Sequence, residues 1–157
     1  MATYAVGGNQ SAVTSSNKGA VATWAVTATL KRIKWYEILI GATGNPNATD
    51  TYFQIDVSRL SATTSIAGTS FTPNPTDAAD GAAVSVALVN ETTEPAAALI
   101  ANSLLNFGLN QRNTTRWIAA QESQYLISPA TNLNGLYLRV NSNAYTGAVA
   151  TQVTFLE

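Results

Sequence analysis

Apolar and polar residues alternate with a period of two along much of this chain. In the segment TYFQIDVSRL, Phe53, Ile55 and Val57 alternate with polar neighbours. Because successive side chains of a β-strand point to opposite faces, this alternation predicts strands with one buried face. Clusters of Gly, Pro, Asn and Asp interrupt it at intervals of about 8 to 12 residues, as turns do in all-β domains.

The strand pattern predicts one all-β domain. We expect an antiparallel β-sandwich, jelly-roll-like, with about eight to ten short strands. Residues 1–19 are rich in Gly, Ser and Asn and are predicted to form an N-terminal arm, while residues 20–157 form the sandwich domain. Strands and helices do not alternate as they do around a parallel nucleotide-binding sheet.

Two local predictions are specific enough to test. Strict alternation in KRIKWYEILIGA places Trp35 and Glu37 on one face and Ile38 on the other. Further along, we predict a strand at about 101–109, a turn over 110–113 and a return strand. These two strands would form a β-hairpin with Trp117 in the core.

The surface of the protein must be polar with little charge. Asp, Glu, Lys and Arg make up only 11% of the chain, and the net charge is −1. A nucleic-acid binder would need a basic stripe, which is missing. Small uncharged residues suit flat contacts that desolvate few charges. Composition leaves two interpretations open: an extracellular β-protein, or a subunit packed against copies of itself.

The residue types that usually carry catalysis are scarce. Histidine and cysteine are both absent, which removes the usual serine triad, a cysteine nucleophile and thiolate metal sites. Asp50 with Asp56, or Asp77 with Asp80, could form a glycosidase pair, but an Asp-rich turn explains the second pair through backbone hydrogen bonds. The same turn offers too few oxygen ligands for calcium. We therefore expect no enzyme, no cofactor and no metal.

Targeting signals are equally scarce. The start MATYAVGGNQ has neither the basic region nor the apolar run of a signal peptide. No window reaches the 18 apolar residues of a membrane-spanning helix. These features predict a soluble protein that is made in the cytoplasm and has no membrane partner.

A small set of residues stands out as candidate subunit contacts. Arg112 and Arg116 are two of only a few cations, and the guanidinium fork pairs well with carboxylates of a neighbour. They could equally be exposed residues of a plain hairpin, with their stems covering apolar surface. Tyr4 and Lys18 are the corresponding candidates in the predicted arm.

A family resemblance adds a specific expectation. The segments FTPNPTDAADGAA, NETTEP and LNQRNTTRW, within residues 33–157, resemble small structural proteins of tailed bacteriophages, in particular capsid decoration (cement) proteins. The resemblance implies a jelly-roll-like fold and a non-enzymatic role. Such a protein binds the major capsid protein on the outer surface of the virion as a homotrimer and stabilises the head.

Three alternatives remain open from the sequence. Another virion part, such as a head fibre base, tail or baseplate protein, could use the same sandwich. A carbohydrate-binding module would need Trp24, Trp35 or Trp117 exposed as a platform for sugar rings. A carboxylate glycosidase would need two acids facing each other across a cleft.

Overall fold

The fold is an antiparallel β-sandwich of two sheets, as predicted. The computed structural model describes residues 1–13, 18–26, 29–61, 66–93, 103–142 and 145–157. Sheet A consists of β1 (Thr3–Val13), β3 (Lys34–Thr43), β6 (Asn74–Pro75), β9 (Thr114–Ile118), β10 (Leu126–Ile127) and β12 (Gly147–Leu156). Sheet B consists of β2 (Lys18–Trp24), β4 (Tyr52–Leu60), β5 (Ala67–Phe71), β7 (Val86–Thr93), β8 (Leu105–Asn110) and β11 (Gly135–Ser142). One 3-10 helix, Glu122–Gln124, lies between β9 and β10.

The strand order is that of a jelly roll. Sheet A contains the order β9-β3-β12-β1, and sheet B contains the order β8-β4-β11-β2. These eight strands pair as the two interleaved Greek keys of a jelly roll do. The other four, β5, β6, β7 and β10, extend the sheets at their edges. The twelve strands of the described residues thus slightly exceed the predicted number, while the architecture is confirmed.

The first strand is part of sheet A, which differs from the predicted arm. β1 pairs with β12 from Thr3 opposite Leu156 to Gln10 opposite Val149. Its alternation is hidden in the sequence because Gly8 and Gln10 take inward positions. A Cβ on Gly8 would lie 2.4 Å from Cγ1 of Val89, so glycine lets β1 approach β7.

The buried side-chain amide of Gln10, also on β1, forms hydrogen bonds to the opposite sheet. Its Nε2 donates to the carbonyl oxygens of Gly19 on β2, at 2.6 Å, and of Glu91 on β7, at 2.9 Å. A polar side chain is tolerated here because its hydrogen-bonding groups find partners. Gln10 therefore fastens sheet A to sheet B from inside the sandwich.

The inward faces of the two sheets form one main core. Phe53, Ile55 and Val57 of β4 are fully buried, so the predicted orientation of that strand is confirmed. Trp35 is also fully buried, and its indole Nε1 donates to Oγ1 of Thr23 on β2 at 2.9 Å. Apolar burial drives the sheets together, and this hydrogen bond satisfies the one polar atom of the ring.

A bulge in β3 overturns the predicted faces of that strand. Thr154 lies opposite Glu37 and Phe155 lies opposite Trp35, so Tyr36 is the extra residue. The insertion changes the alternation by one position, which places Trp35 and Ile38 on the same buried face. The predicted assignment of these two side chains to opposite faces was wrong because a local pattern carries no sign of a bulge.

The predicted hairpin around residues 110–113 is also wrong. β8 pairs with β4 in sheet B, whereas β9 pairs with β3 in sheet A. The turn, closed by Asn113 N–H donating to Asn110 O at 3.0 Å, therefore carries the chain from one sheet to the other. The strand predicted at 101–109 begins at Leu105, and residues 101–102 lie outside the described part of the chain.

Trp35 and Trp117 should differ in their contribution to stability. Trp35→Ala is expected to lower the free energy of unfolding by about 3 to 5 kcal/mol, because it removes a fully buried ring. Trp117→Ala is expected to cost less, about 1 to 2 kcal/mol, because its ring is half-buried against the core. Urea denaturation of both variants measures the difference. Equal costs would contradict this ranking.

Candidate interaction surface

The outward side of sheet A is a broad, bare surface. Strand register places three rows of side chains on it, each crossing β9, β3, β12 and β1. We call it the outer A face and define it by these residues: Ile118, Glu37, Thr154 and Ala5; Arg116, Leu39, Gln152 and Gly7; Thr114, Gly41, Ala150 and Asn9. Most are small or uncharged, so the surface is shallow and nearly neutral.

Two apolar side chains project from the outer A face. Leu39 on β3 and Ile118 on β9 are exposed at 39% and 49%. Beside Leu39, the chain forms a depression of about 260 Å³ above Gly41, bordered by Thr114 and Ala150. Exposed apolar side chains next to a depression are typical of protein contact surfaces.

The charged residues within the three rows are one ion pair. Arg116 Nε lies 2.5 Å from Oε1 of Glu37, and Thr154 Oγ1 donates to Oε2 of the same carboxylate at 3.1 Å. Arg116 is therefore on the outside and Trp117 faces inward, as the sequence predicted. The guanidinium of Arg116 pairs with Glu37 of its own chain, so an exposed position on β9 explains its charge without a neighbour.

The outward side of sheet B is different because much of it is covered. Ala22, Leu60, Leu88 and Tyr137 form a second small cluster there, with Trp24 and Ile66 packed against it. The outer A face is thus the more open of the two sheet surfaces in the described residues. In sheet B, the end that carries Gln54 and the edge strand β5 are similarly exposed.

A buried carboxylate also lies on the outward side of sheet B. Asp56 on β4 accepts hydrogen bonds from Ser58 Oγ, at 2.6 Å, and from Ser103 Oγ, and its Oδ1 lies 3.5 Å from Nε of Arg139. Burial opposes ionisation of this group. The hydrogen bonds from both serines and the charge of Arg139 outweigh it, so the pKa of Asp56 lies below its usual value. Asp56 is a structural anion that ties the start of β8 to β4.

Arg112 fastens a loop of its own chain. Its Nε donates to Oδ1 of Asp50 at 2.6 Å, and its Nη2 donates to the carbonyl of Asn47 at 3.2 Å. The neighbouring buried amide of Gln111 holds the same loop, accepting from Asn47 N–H at 2.9 Å and donating to the carbonyls of Asn47 and Thr49. Sequence reasoning selected Arg112 for its charge and missed Gln111, whose role depends on burial.

Like Arg112, the other two predicted contact residues lie away from the outer A face. Tyr4 is 3% exposed, stacks on Phe155 with ring centroids 5.7 Å apart, and donates its hydroxyl to Gly81 O. Burial raises the pKa of Tyr4, with a smaller contribution from the charge of Glu157. A buried ring cannot serve as a surface contact. Lys18 is half-buried at the start of β2 in sheet B.

The residues considered for other functions are dispersed. Trp35 is buried, and Trp24 and Trp117 are half-buried, so none of the three presents a fully exposed ring. Asp50 pairs with Arg112, while Asp77 accepts Ala79 N–H within its own turn at 2.9 Å, as predicted for that turn. Across the described ranges, no three Asp or Glu side chains come together as a metal site would need.

Comparison with known proteins identifies no relative. No protein-family model, no curated protein and no solved structure matches this chain. In the portion that the structure describes, no helix is long and apolar enough to cross a membrane.

Asp56 should make the fold sensitive to acid. Its lowered pKa gives stability that is fully present above the pKa of about 4 in the unfolded chain and is lost as pH falls through the folded pKa. Asp56→Asn should therefore reduce the fall in unfolding free energy below about pH 4. Urea denaturation from pH 7 to pH 2.5 measures the slope of the unfolding free energy against pH. Ser58→Ala should give a slope between those of the wild type and Asp56→Asn. An unchanged slope in Asp56→Asn would contradict the assignment.

Gln111 should matter more to folding than Arg112. Gln111→Ala is expected to lower the free energy of unfolding by about 2 to 3 kcal/mol, because it removes a buried amide that makes three hydrogen bonds to the backbone of Asn47 and Thr49. Arg112→Ala should cost about 1 kcal/mol or less, since its ion pair with Asp50 is exposed to water. Thermal denaturation of both variants tests the order. A larger loss from Arg112→Ala would mean that the ion pair holds the loop.

Proposed function

We propose that this chain is a non-enzymatic structural protein of a bacteriophage virion. In this proposal it binds the outer surface of the capsid as a trimer, contacts the major capsid protein and stabilises the head. The sequence resemblance to decoration proteins suggests the particle and the oligomer. The jelly-roll topology is compatible with that role, although a fold alone does not imply a function.

The outer A face is the observation that carries the proposal. It spans four strands, and the charges within its three rows are limited to the Arg116–Glu37 pair. A protein contact must desolvate whatever it covers, and neutral side chains are the cheapest to desolvate. A flat surface with exposed Leu39 and Ile118 therefore suits association better than it suits catalysis.

The placement of the charged residues supports a structural role. Three of the four carboxylates that the sequence left as candidates for catalysis have assigned partners: Asp50 has Arg112, Asp56 has Arg139 and two serines, and Asp77 has its own turn, which also contains Asp80. Groups held in this way stabilise loops and strands. A glycosidase pair would instead face each other across a cleft.

Repetition on a shell would compensate for modest individual contacts. A trimer with three equivalent binding surfaces gains avidity, since the second and third contacts form intramolecularly. A net charge of −1 gives the chain little electrostatic protection against association with its own copies. Both properties favour a protein that functions in an assembled array.

The carbohydrate-binding alternative has weaker support. It depends on aromatic rings open to sugar, and the three tryptophans are buried or half-buried. Tyr52, at 59% exposure, is the one aromatic residue among the large exposed apolar side chains of the described chain. A single exposed ring makes a poor platform for an extended glycan.

Binding to capsids tests the proposal directly. Purified chain should cosediment with expanded capsids of the phage that encodes it, saturate at a fixed number of copies, and raise the temperature at which the heads release DNA. Light scattering should give three times the 16.5 kDa mass of one chain. Tails of the same phage serve as the control particle. Binding to tails but not to heads would assign the chain to another virion part, and binding to neither would refute the proposal.

A further inference from the structure

We propose that the outer A face is the surface through which copies of this chain contact one another, with the faces turned toward the symmetry axis of the oligomer. This inference rests on the proposed function, which requires an oligomer. The occupant of the face is a second copy of the chain, in preference to the capsid. The charge and the shape of the face support that choice.

The charge of the face is self-complementary. Arg116 and Glu37 neutralise each other within one copy, and Thr154 donates to the second carboxylate oxygen. Two such faces can therefore meet without net repulsion and without leaving a buried charge unpaired. A surface specialised for a partner of opposite charge would instead carry an excess of one sign, which these three rows do not.

The area of the face is enough for the centre of a protein contact. Four strands about 4.8 Å apart and the five residues of β9 give the three rows a surface of about 19 by 17 Å, or about 320 Å². Standard interfaces bury about 800 Å² on each partner. The three rows would therefore form the middle of a contact between copies, and residues around them would complete it.

The shape of the face provides both a projection and a receptor. Leu39 and Ile118 project, while the depression above Gly41 lies between Thr114 and Ala150. Glycine creates this depression because it has no side chain, and a Cβ there would lie 2.6 Å from Oγ1 of Thr114. An apolar side chain of one copy can occupy the depression of the next, as anchor residues do in other interfaces.

Two exposed glutamines make a matched test. Gln152 lies in the middle row of the outer A face, and Gln54 lies on the exposed end of sheet B. We would replace each by Glu and by Lys and measure native mass by light scattering over a dilution series. Both Gln152 variants should shift dissociation to at least tenfold higher concentration, since each brings like charges together across the contact. Both Gln54 variants should behave as wild type.

The effects of Gln152→Glu and Gln152→Lys distinguish contact with a second copy from contact with a different, charged partner. A neutral face that meets its own copy should be weakened by Glu and Lys alike. If one Gln152 variant weakened association and the other strengthened it, the face would meet a charged surface and the inference would be overturned. Unchanged mass in both Gln152 variants, with wild type oligomeric, would also overturn it. All variants are first checked for wild-type thermal unfolding.

Cross-linking gives a second, independent readout. The chain contains no cysteine, so Gln152→Cys introduces a single thiol. Faces turned toward a symmetry axis should yield a disulfide-linked dimer on oxidation, and Gln54→Cys should not. A wild-type chain that stays monomeric overturns the inference and the trimer of the proposed function, while binding of that monomer to capsids would leave the role on the head in place. An oligomer sensitive to charge at Gln152 that binds no capsid would support the inference and refute the proposed function.

Discussion

Pairing of the first strand with the last is the contact on which the rest of the structure depends. β1 and β12 lie side by side from Thr3 opposite Leu156 to Gln10 opposite Val149, and β12 also pairs with β3. Sheet A is therefore complete only when both ends of the chain have come together. Such non-local pairing carries a large loop-closure cost, which is offset only when the core forms. The fold should accordingly form slowly and as one cooperative unit.

The same pairing produces the core and the outer A face together. Alternation along β1 and β12 directs Val6 and Val153 into the sandwich, and it directs Gly7 and Gln152 outward. Any slip of one residue would exchange the two sets, exposing valines and burying polar groups. Burial of the valines thus fixes the register in which small, uncharged side chains such as Gly7 and Gln152 point outward. A surface available for association follows from the register that stabilises the fold.

The fold class could be predicted from the sequence because the alternation of apolar and polar residues can be recognised within each short segment, and it indicates strands. It identified the inward face of β4. It did not reveal β1, where Gly8 and Gln10 interrupt the apolar pattern, or the bulge at Tyr36. It also could not assign β8 and β9 to different sheets, since alternation specifies a face and not a hydrogen-bonded partner. For the surface, charge drew attention to Arg116, whereas the exposure of Leu39 and Ile118 depends on which strands lie beside them.

The arrangement of the chain ends has a mechanical consequence. Thr3 and Leu156 face each other at one end of the β1–β12 ladder, so both ends leave the sandwich at the same place. A force that pulls the two ends apart breaks the β1–β12 residue pairs one after another, beginning with Thr3 and Leu156. A force along the strands loads the whole ladder at once, because all its hydrogen bonds lie across that direction. The molecule should therefore resist little force when it is pulled by its two ends, and much more when it is pulled along its strands.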